Sequence, residues 1–224
     1  MGSIDFISKL LSIPAILIGF TVHEYAHALI ADRLGDKTPK FQGRLTLNPL
    51  VHIDPFGFLA ILIFGFGWAK PVQTNPSAFR HGYKDDLKVS LAGVVANILT
   101  AFIFAFITAI VYALFFNRSL STQAASFGRY IENALYLVIY INVMLSIFNL
   151  LPIPGLDGFH ILRDIFPKFF YKNAEILNRY QYVILIVLLL PIFGGSQSIL
   201  DFILVGPVNS ITSAFLKLAL LVVP

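Results

Sequence analysis

The chain contains no cysteine, which excludes disulfides, a thiolate metal site and a cysteine nucleophile. Charge is also scarce. Asp, Glu, Lys and Arg make up 12% of the residues, where an ordinary soluble domain carries about 25%. No polar stretch is long enough to build a separate soluble domain, so none is expected. A cleaved leader is not expected either, because Asp5 precedes Lys9 and the apolar run behind them continues without a break. The net charge is +4, but the basic residues sit in loops beside apolar runs. They carry topology information and not a nucleic-acid footprint, so nucleic acid is excluded as a partner.

What the chain has in abundance is apolar sequence. Of its 224 residues 57% are hydrophobic, and several runs exceed the roughly 18 residues that mark a membrane span. The expected fold class is an all-α polytopic membrane protein embedded in a lipid bilayer. About five full spans are read at Ile4–Leu34, Val89–Phe116, Tyr130–Leu151, Ile176–Phe193 and Ile199–Val223. Pro14 marks a kink in the first span or its true start. Phe56–Phe66 is apolar but too short to cross, and reads as a re-entrant segment. Arg44-Leu45-Thr46-Leu47 alternates as a strand does and is expected to form a small β element. Residues 1–224 are read as one integral membrane domain, with a catalytic core over about 4–166 and a C-terminal helix pair over about 176–223.

The chemistry concentrates in His23-Glu24-Tyr25-Ala26-His27. Residues four apart share one face of a helix, so both imidazoles can address one metal ion, and Glu24 can reach a water beside it. The motif lies inside the apolar run Ile13–Ala31, where ionisable groups are energetically unfavourable and usually functional. A second polar stretch, Asn149-Leu150-Leu151-Pro152-Ile153-Pro154-Gly155-Leu156-Asp157-Gly158, breaks a membrane helix. Broken backbone at that depth is tolerated only when buried in protein or lining a wet cavity. A catalytic zinc takes three protein ligands and leaves one position open. His23 and His27 supply two nitrogens. Asp157 supplies the third ligand or, alternatively, caps the helix running Gly158–Phe166.

Loop charge constrains the topology. Residues 32–50, 68–88 and 163–180 each hold four Lys or Arg, and residues 117–129 hold two. If Phe56–Phe66 dips in and returns, the split is twelve against two; if it crosses, the split is six against eight. The positive-inside rule favours the re-entrant case. So does the metal site, because His23, His27 and Asp157 reach one depth only if their spans run the same way. This puts the site toward the cytoplasm, about 15 Å inside the boundary at Arg33 for a rise of about 1.5 Å per residue.

These stretches, with Gly43-Arg44-Leu45-Thr46-Leu47-Asn48-Pro49 and Ser90-Leu91-Ala92-Gly93 followed by Asn97, resemble the site-2 proteases, the zinc intramembrane metalloproteases of peptidase family M50, in a minimal form without a PDZ or CBS domain. The likeness runs from about residue 15 to 165. It implies His23, His27 and Asp157 as ligands of one Zn2+ and Glu24 as catalytic base. It also implies regulated intramembrane proteolysis: hydrolysis of a transmembrane helix of a membrane-protein substrate near the cytoplasmic face, in a multi-pass protein of the cell membrane. Val94 stands where the family often has proline, and Phe159 where a small residue commonly follows Asp-Gly.

A substrate helix must unwind before attack. Asn97, Asn142 and Asn149 are candidates to hold its freed backbone, or else to bond between helices. The Arg44–Leu47 stretch could pair with an extended substrate. His52 reads as an interfacial loop residue or an auxiliary ligand, His160 as an orienter of Asp157 or a pocket residue, and His81 as a loop residue. Two other function classes remain open on sequence. A metal transporter would need acids continuing the path, for which Glu132 and Asp201 are the candidates. A non-catalytic relative that binds membrane helices would have no use for Glu24.

Overall fold

A computed structural model describes residues 2–64, 67–116, 122–190 and 197–223. In chain order its helices are α1 (Gly2–Leu34), α2 (Thr38–Phe41), α3 (Pro55–Phe64), α4 (Tyr83–Phe116), α5 (Thr122–Asn149), α6 (Asp157–Ile165), α7 (Pro167–Arg179), α8 (Gln181–Leu189) and α9 (Ile199–Val222). Among the described residues four helices are long and apolar enough to cross a membrane, over Lys9–Leu34, Tyr83–Phe115, Ser126–Asn149 and Ile199–Val222. With α4 at 34 residues, its length is about 51 Å at a rise of about 1.5 Å per residue, against a hydrocarbon core of about 30 Å. Its first turns, with Asp85, Asp86 and Lys88, therefore reach past the apolar layer.

The bundle is organised by small residues. Along α4, Asn97, Ala101, Ala105 and Ala109 recur every four residues and are buried, while Leu99, Ile103, Ile107 and Leu114 point outward. This inverts the pattern of a soluble helix. In lipid, large apolar side chains gain nothing by turning inward, and small ones let backbones approach closely. The alanine stripe meets Ile139 and Val143 of α5 and Leu200, Leu204 and Val208 of α9. One interhelical bond, from the Ser146 hydroxyl to the Val94 carbonyl (3.1 Å), fixes α5 against α4. α1 packs against both α4 and α5 and brings Ala28 and Ala31 into the interior.

Three expectations are revised. The expected fifth span, Ile176–Phe193, is replaced among the described residues by the end of α7 and by α8. α8 has nine residues, about 14 Å at the helical rise, too short to cross. α7 runs through Glu175 and Asn178 and ends at Arg179; residues 191–193 lie outside the described residues. No strand forms at Arg44–Leu47. The Arg44 side chain turns inward, and the Thr46 hydroxyl accepts the Asn48 N–H (3.1 Å), holding the backbone in turns. The single β bridge among the described residues instead joins Ile53 and Ala69. Finally, α5 starts at Thr122 and not at Tyr130.

That bridge closes a hairpin around α3. The Lys70 N–H donates to the His52 carbonyl (2.9 Å), so the chain leaves α3 beside the point where it entered. A Cβ on Gly57 would strike the backbone of Trp68, so glycine is what lets the two arms close. Beyond the hairpin, Pro71–Asn75 has no regular secondary structure. The Asp36 carboxylate accepts from the N–H groups of Thr38 (2.9 Å) and Asn75 (2.7 Å), tying the loop after α1 to the segment before α4.

Candidate active site

α1 puts His23, Glu24 and His27 on its buried face, each less than a tenth exposed. The break after Asn149 turns the chain through Pro152, Pro154 and Gly155, and α6 then begins with Asp157. α6 packs on α4, where Arg163 pairs with Asp86. Asp157 does not cap α6: the N-cap is Leu156 and makes no side-chain capping bond. The Asp157 Oδ2 instead lies 3.2 Å from His23 Nε2 and 3.3 Å from His27 Nε2, and the two Nε2 atoms are 3.0 Å apart.

The far side of each ring fixes its tautomer. His27 Nδ1 lies 2.8 Å from the Val89 carbonyl, which can only accept, so Nδ1 carries the proton. For His23 the chain of hydrogen bonds starts at the Gly19 carbonyl, an acceptor. The Asn97 amide nitrogen donates to the Gly19 carbonyl (3.0 Å) and to Asn142 Oδ1 (2.8 Å), while Asn142 donates to the Val138 carbonyl (2.8 Å). That orientation turns Asn97 Oδ1 toward His23 Nδ1 at 2.6 Å, which must then be the donor. Both Nε2 atoms are thus left with lone pairs, converging on a carboxylate oxygen that has no hydrogen-bond partner.

Three acceptors packed together repel one another unless a cation sits among them. Zinc–nitrogen bonds of about 2.0–2.1 Å in tetrahedral geometry separate ligand atoms by roughly 3.3 Å, close to the edges of this triangle. His23, His27 and Asp157 are the one group of three metal-ligating side chains found among the described residues. The floor beneath them is Gly93. A Cβ there would lie 2.5 Å from His27 Nε2 and 2.5 Å from His23 Cε1, so α4 can approach the rings only through glycine. These residues fit a zinc ion.

The site opens into a cavity of about 310 Å³ lined by the trio, Glu24, Pro71, Val72, Asn149 and His160, among others. Glu24 Oε2 accepts the Val72 N–H (2.7 Å) and lies 3.9 Å from the Arg44 guanidinium. Burial lowers the pKa of Arg44, and the Glu24 carboxylate raises it in part. His160 is also lowered, first by burial and then by Arg163, which favours the neutral ring.

The remaining candidates divide. Asn149 lines the cavity, whereas Asn97 and Asn142 are fully buried behind His23 with their amides engaged. His52 is fully buried and donates through Nε2 to the Thr46 carbonyl (2.7 Å), away from the trio. His81 lies beside Asp85 at 3.1 Å with its side chain mostly exposed. Of the acids considered for an ion path, Asp201 is taken up in a capping box with Ser198 at the start of α9. Phe159 packs edge-on against Phe170 (4.5 Å between centroids), which is how a large residue is accommodated beside Asp157 and Gly158. Sequence reasoning missed Arg44 and Val72. Arginine in a polar loop reads as a solvated charge, and a backbone N–H leaves no trace in side-chain identity.

Comparison with known proteins agrees with this geometry. The model of peptidase family M50 matches residues 11–190. A Bacillus subtilis protein named "Putative zinc metalloprotease YwhC" is 37% identical over 180 residues, 80% of each chain. "Putative zinc metalloprotease Rip2" of Mycolicibacterium smegmatis is 29% identical over 81% of this chain and 67% of its own. "Putative zinc metalloprotease MJ0611" of Methanocaldococcus jannaschii is 29% identical over 69% and 70% respectively. No solved structure matches the chain. The family model covers well over half of the sequence and spans both stretches that meet in the cavity, so the chain belongs to peptidase family M50, the site-2 protease family, and is an integral membrane zinc metalloprotease.

Proposed function

We propose that the protein hydrolyses peptide bonds within or near a transmembrane helix of membrane-protein substrates, close to the cytoplasmic face of the cell membrane. The observation that carries this reading is the convergence of His23 Nε2, His27 Nε2 and Asp157 Oδ2, with edges of 3.0 to 3.3 Å, beside Glu24 in one cavity. In this reading those three residues hold the zinc. Zinc bound there supplies Lewis acidity toward a carbonyl oxygen and acidifies water. Glu24 accepts the proton of the attacking water and returns it to the amide nitrogen as the C–N bond breaks, so one carboxylate serves both transfers. Asn97, backed by Asn142, keeps His23 in the tautomer that presents Nε2, as partners behind metal ligands commonly do. Asn149, at the cavity wall, is the asparagine assigned to the freed backbone of an unwound substrate.

Topology supports the placement. The loop after α1 and the segment before α4 are bonded through Asp36 and through the Ile53–Ala69 bridge, which favours one membrane side for both and a re-entrant α3. Lys and Arg then gather twelve to two on that side, the cytoplasmic one by the positive-inside rule. α9 shares its apolar core with α4 and α5, which supports a single domain over residues 1–224.

The test is Glu24→Gln. The variant keeps its zinc, because Glu24 is not a ligand, and cleavage of a detergent-solubilised transmembrane substrate falls by about 10²–10⁴-fold. Undiminished cleavage removes Glu24 from the reaction, and loss of zinc with activity makes it a ligand.

A further inference from the structure

Arg44 stands out as a buried charge that the hydrolytic reading does not use. It is 4% exposed although it lies in a loop. Its guanidinium donates to two backbone carbonyls, those of Val51 and Lys70. These two residues flank the Ile53–Ala69 bridge, one on each side of the α3 hairpin. The guanidinium therefore spans the neck of the hairpin from within. Two residues beyond Lys70, the Val72 N–H makes the hydrogen bond to Glu24 Oε2 (2.7 Å). The circuit closes because Glu24 Oε2 is also 3.9 Å from Arg44.

The chemistry of the side chain suits this task. A guanidinium is a planar fork that can donate to two acceptors at once in fixed geometry, whereas an ammonium acts as a point charge on a flexible stem. Loss of the fork leaves two buried carbonyls without their partner and frees the segment at its root. Glu24 then loses a fixed donor at one oxygen. The Val72 hydrogen bond falls on Oε2, so Oε2 is the atom that orients the carboxylate.

We propose that Arg44 is a positioning residue for peptide hydrolysis: by clasping the carbonyls of Val51 and Lys70 it holds the segment whose Val72 N–H aims the carboxylate of Glu24. The proposal rests on the reading of Glu24 as the base. Arg44 is not one of the metal-ligating trio and meets the cavity through Glu24, 3.9 Å away, so its removal acts on turnover and leaves zinc content unchanged.

The experiment is a double-variant cycle on the purified full chain with a transmembrane substrate, using Arg44→Met, Arg44→Lys and Val72→Pro, the last removing the N–H from a segment outside any helix. Arg44→Met lowers kcat by about 10–100-fold, the usual effect of removing a residue that supports the reacting groups, with KM within about twofold and zinc retained. Arg44→Lys stays closer to Arg44→Met than to wild type, because one ammonium cannot bridge both carbonyls. Arg44→Met combined with Val72→Pro loses no more than the worse single variant, since both act along one path. Full activity in Arg44→Lys, a loss confined to KM, or multiplicative losses in the double variant each overturn the proposal. If Arg44→Met fails to fold, the cycle runs with Arg44→Lys under the same requirement. Failure of the base reading is separate: it appears as cleavage surviving Glu24→Gln, whatever Arg44 does.

Discussion

Two imidazoles four residues apart converge here because their outer nitrogens are both spoken for, by Asn97 and by the Val89 carbonyl. Locked rings cannot rotate away from an intruding atom. A methyl group at Gly93 would sit 2.5 Å from His27 Nε2 and 2.7 Å from His23 Nδ1. Gly93→Ala therefore displaces the ligands, and its affinity for zinc falls by at least about tenfold, the scale on which disturbed support around a metal is felt. Zinc content measured against a competing chelator checks this. Gly206→Ala is the control, because a Cβ there meets nothing within 4 Å. Full zinc affinity in Gly93→Ala would mean that the rings are less constrained than their hydrogen bonds require. The residue types of the two proposed histidine ligands, their spacing and the proposed base are readable in the motif. Gly93 enters through resemblance alone, since a glycine in an apolar helix has no period that marks it as a floor.

Among the elements, the hairpin around α3 decides how the rest of the chain is threaded. Its ends meet at Ile53 and Ala69, and Asp36 bonds across to Asn75. Because the chain has no cysteine, single cysteines report sidedness without background. Lys40→Cys and Ser77→Cys are expected to be labelled from the same side of sealed vesicles, and Gln123→Cys from the other. Labelling of positions 40 and 77 from opposite sides would require α3 to cross and would separate Asp157 from the histidines. Charge counting favours the same threading, but the local pattern at Arg44–Leu47 misled. Alternating residues predict a strand only if the backbone is free to pair, and here the Arg44 side chain and the Thr46 groups bind locally. The same limit applies at Ile176–Phe193, where the apolar count ran a span through Asn178 and Arg179, while the chain ends α7 at Arg179 and starts α8 at Gln181.

On the scale of the whole molecule, the core and the metal site are separate structures. The apolar cluster of α4, α5 and α9 is centred on Ala101, Ala105 and Ala109, well along α4 from Gly93 and the ligands. Removing zinc with a chelator is therefore expected to abolish cleavage while leaving the helical circular dichroism nearly unchanged, and added zinc restores activity. Loss of helix on chelation would show that the site, and not the alanine stripe, holds the bundle together. Composition alone established a membrane protein, because so few charges and such long apolar runs cannot be dissolved in water. The motif spacing alone put His23 and His27 on one face, because a helix repeats its face every three to four residues. Neither could supply the partners of those residues. Asp157, which sequence offered as third ligand or helix cap, lies against His23 and His27 only once the chain has folded, Asn97 is a ring orienter and not a substrate contact in the proposed reading, and Arg44 is a buried clasp and not a loop charge. Such roles depend on which surfaces meet after the helices pack, and sequence separation carries no information about distances that arise only when the chain closes on itself.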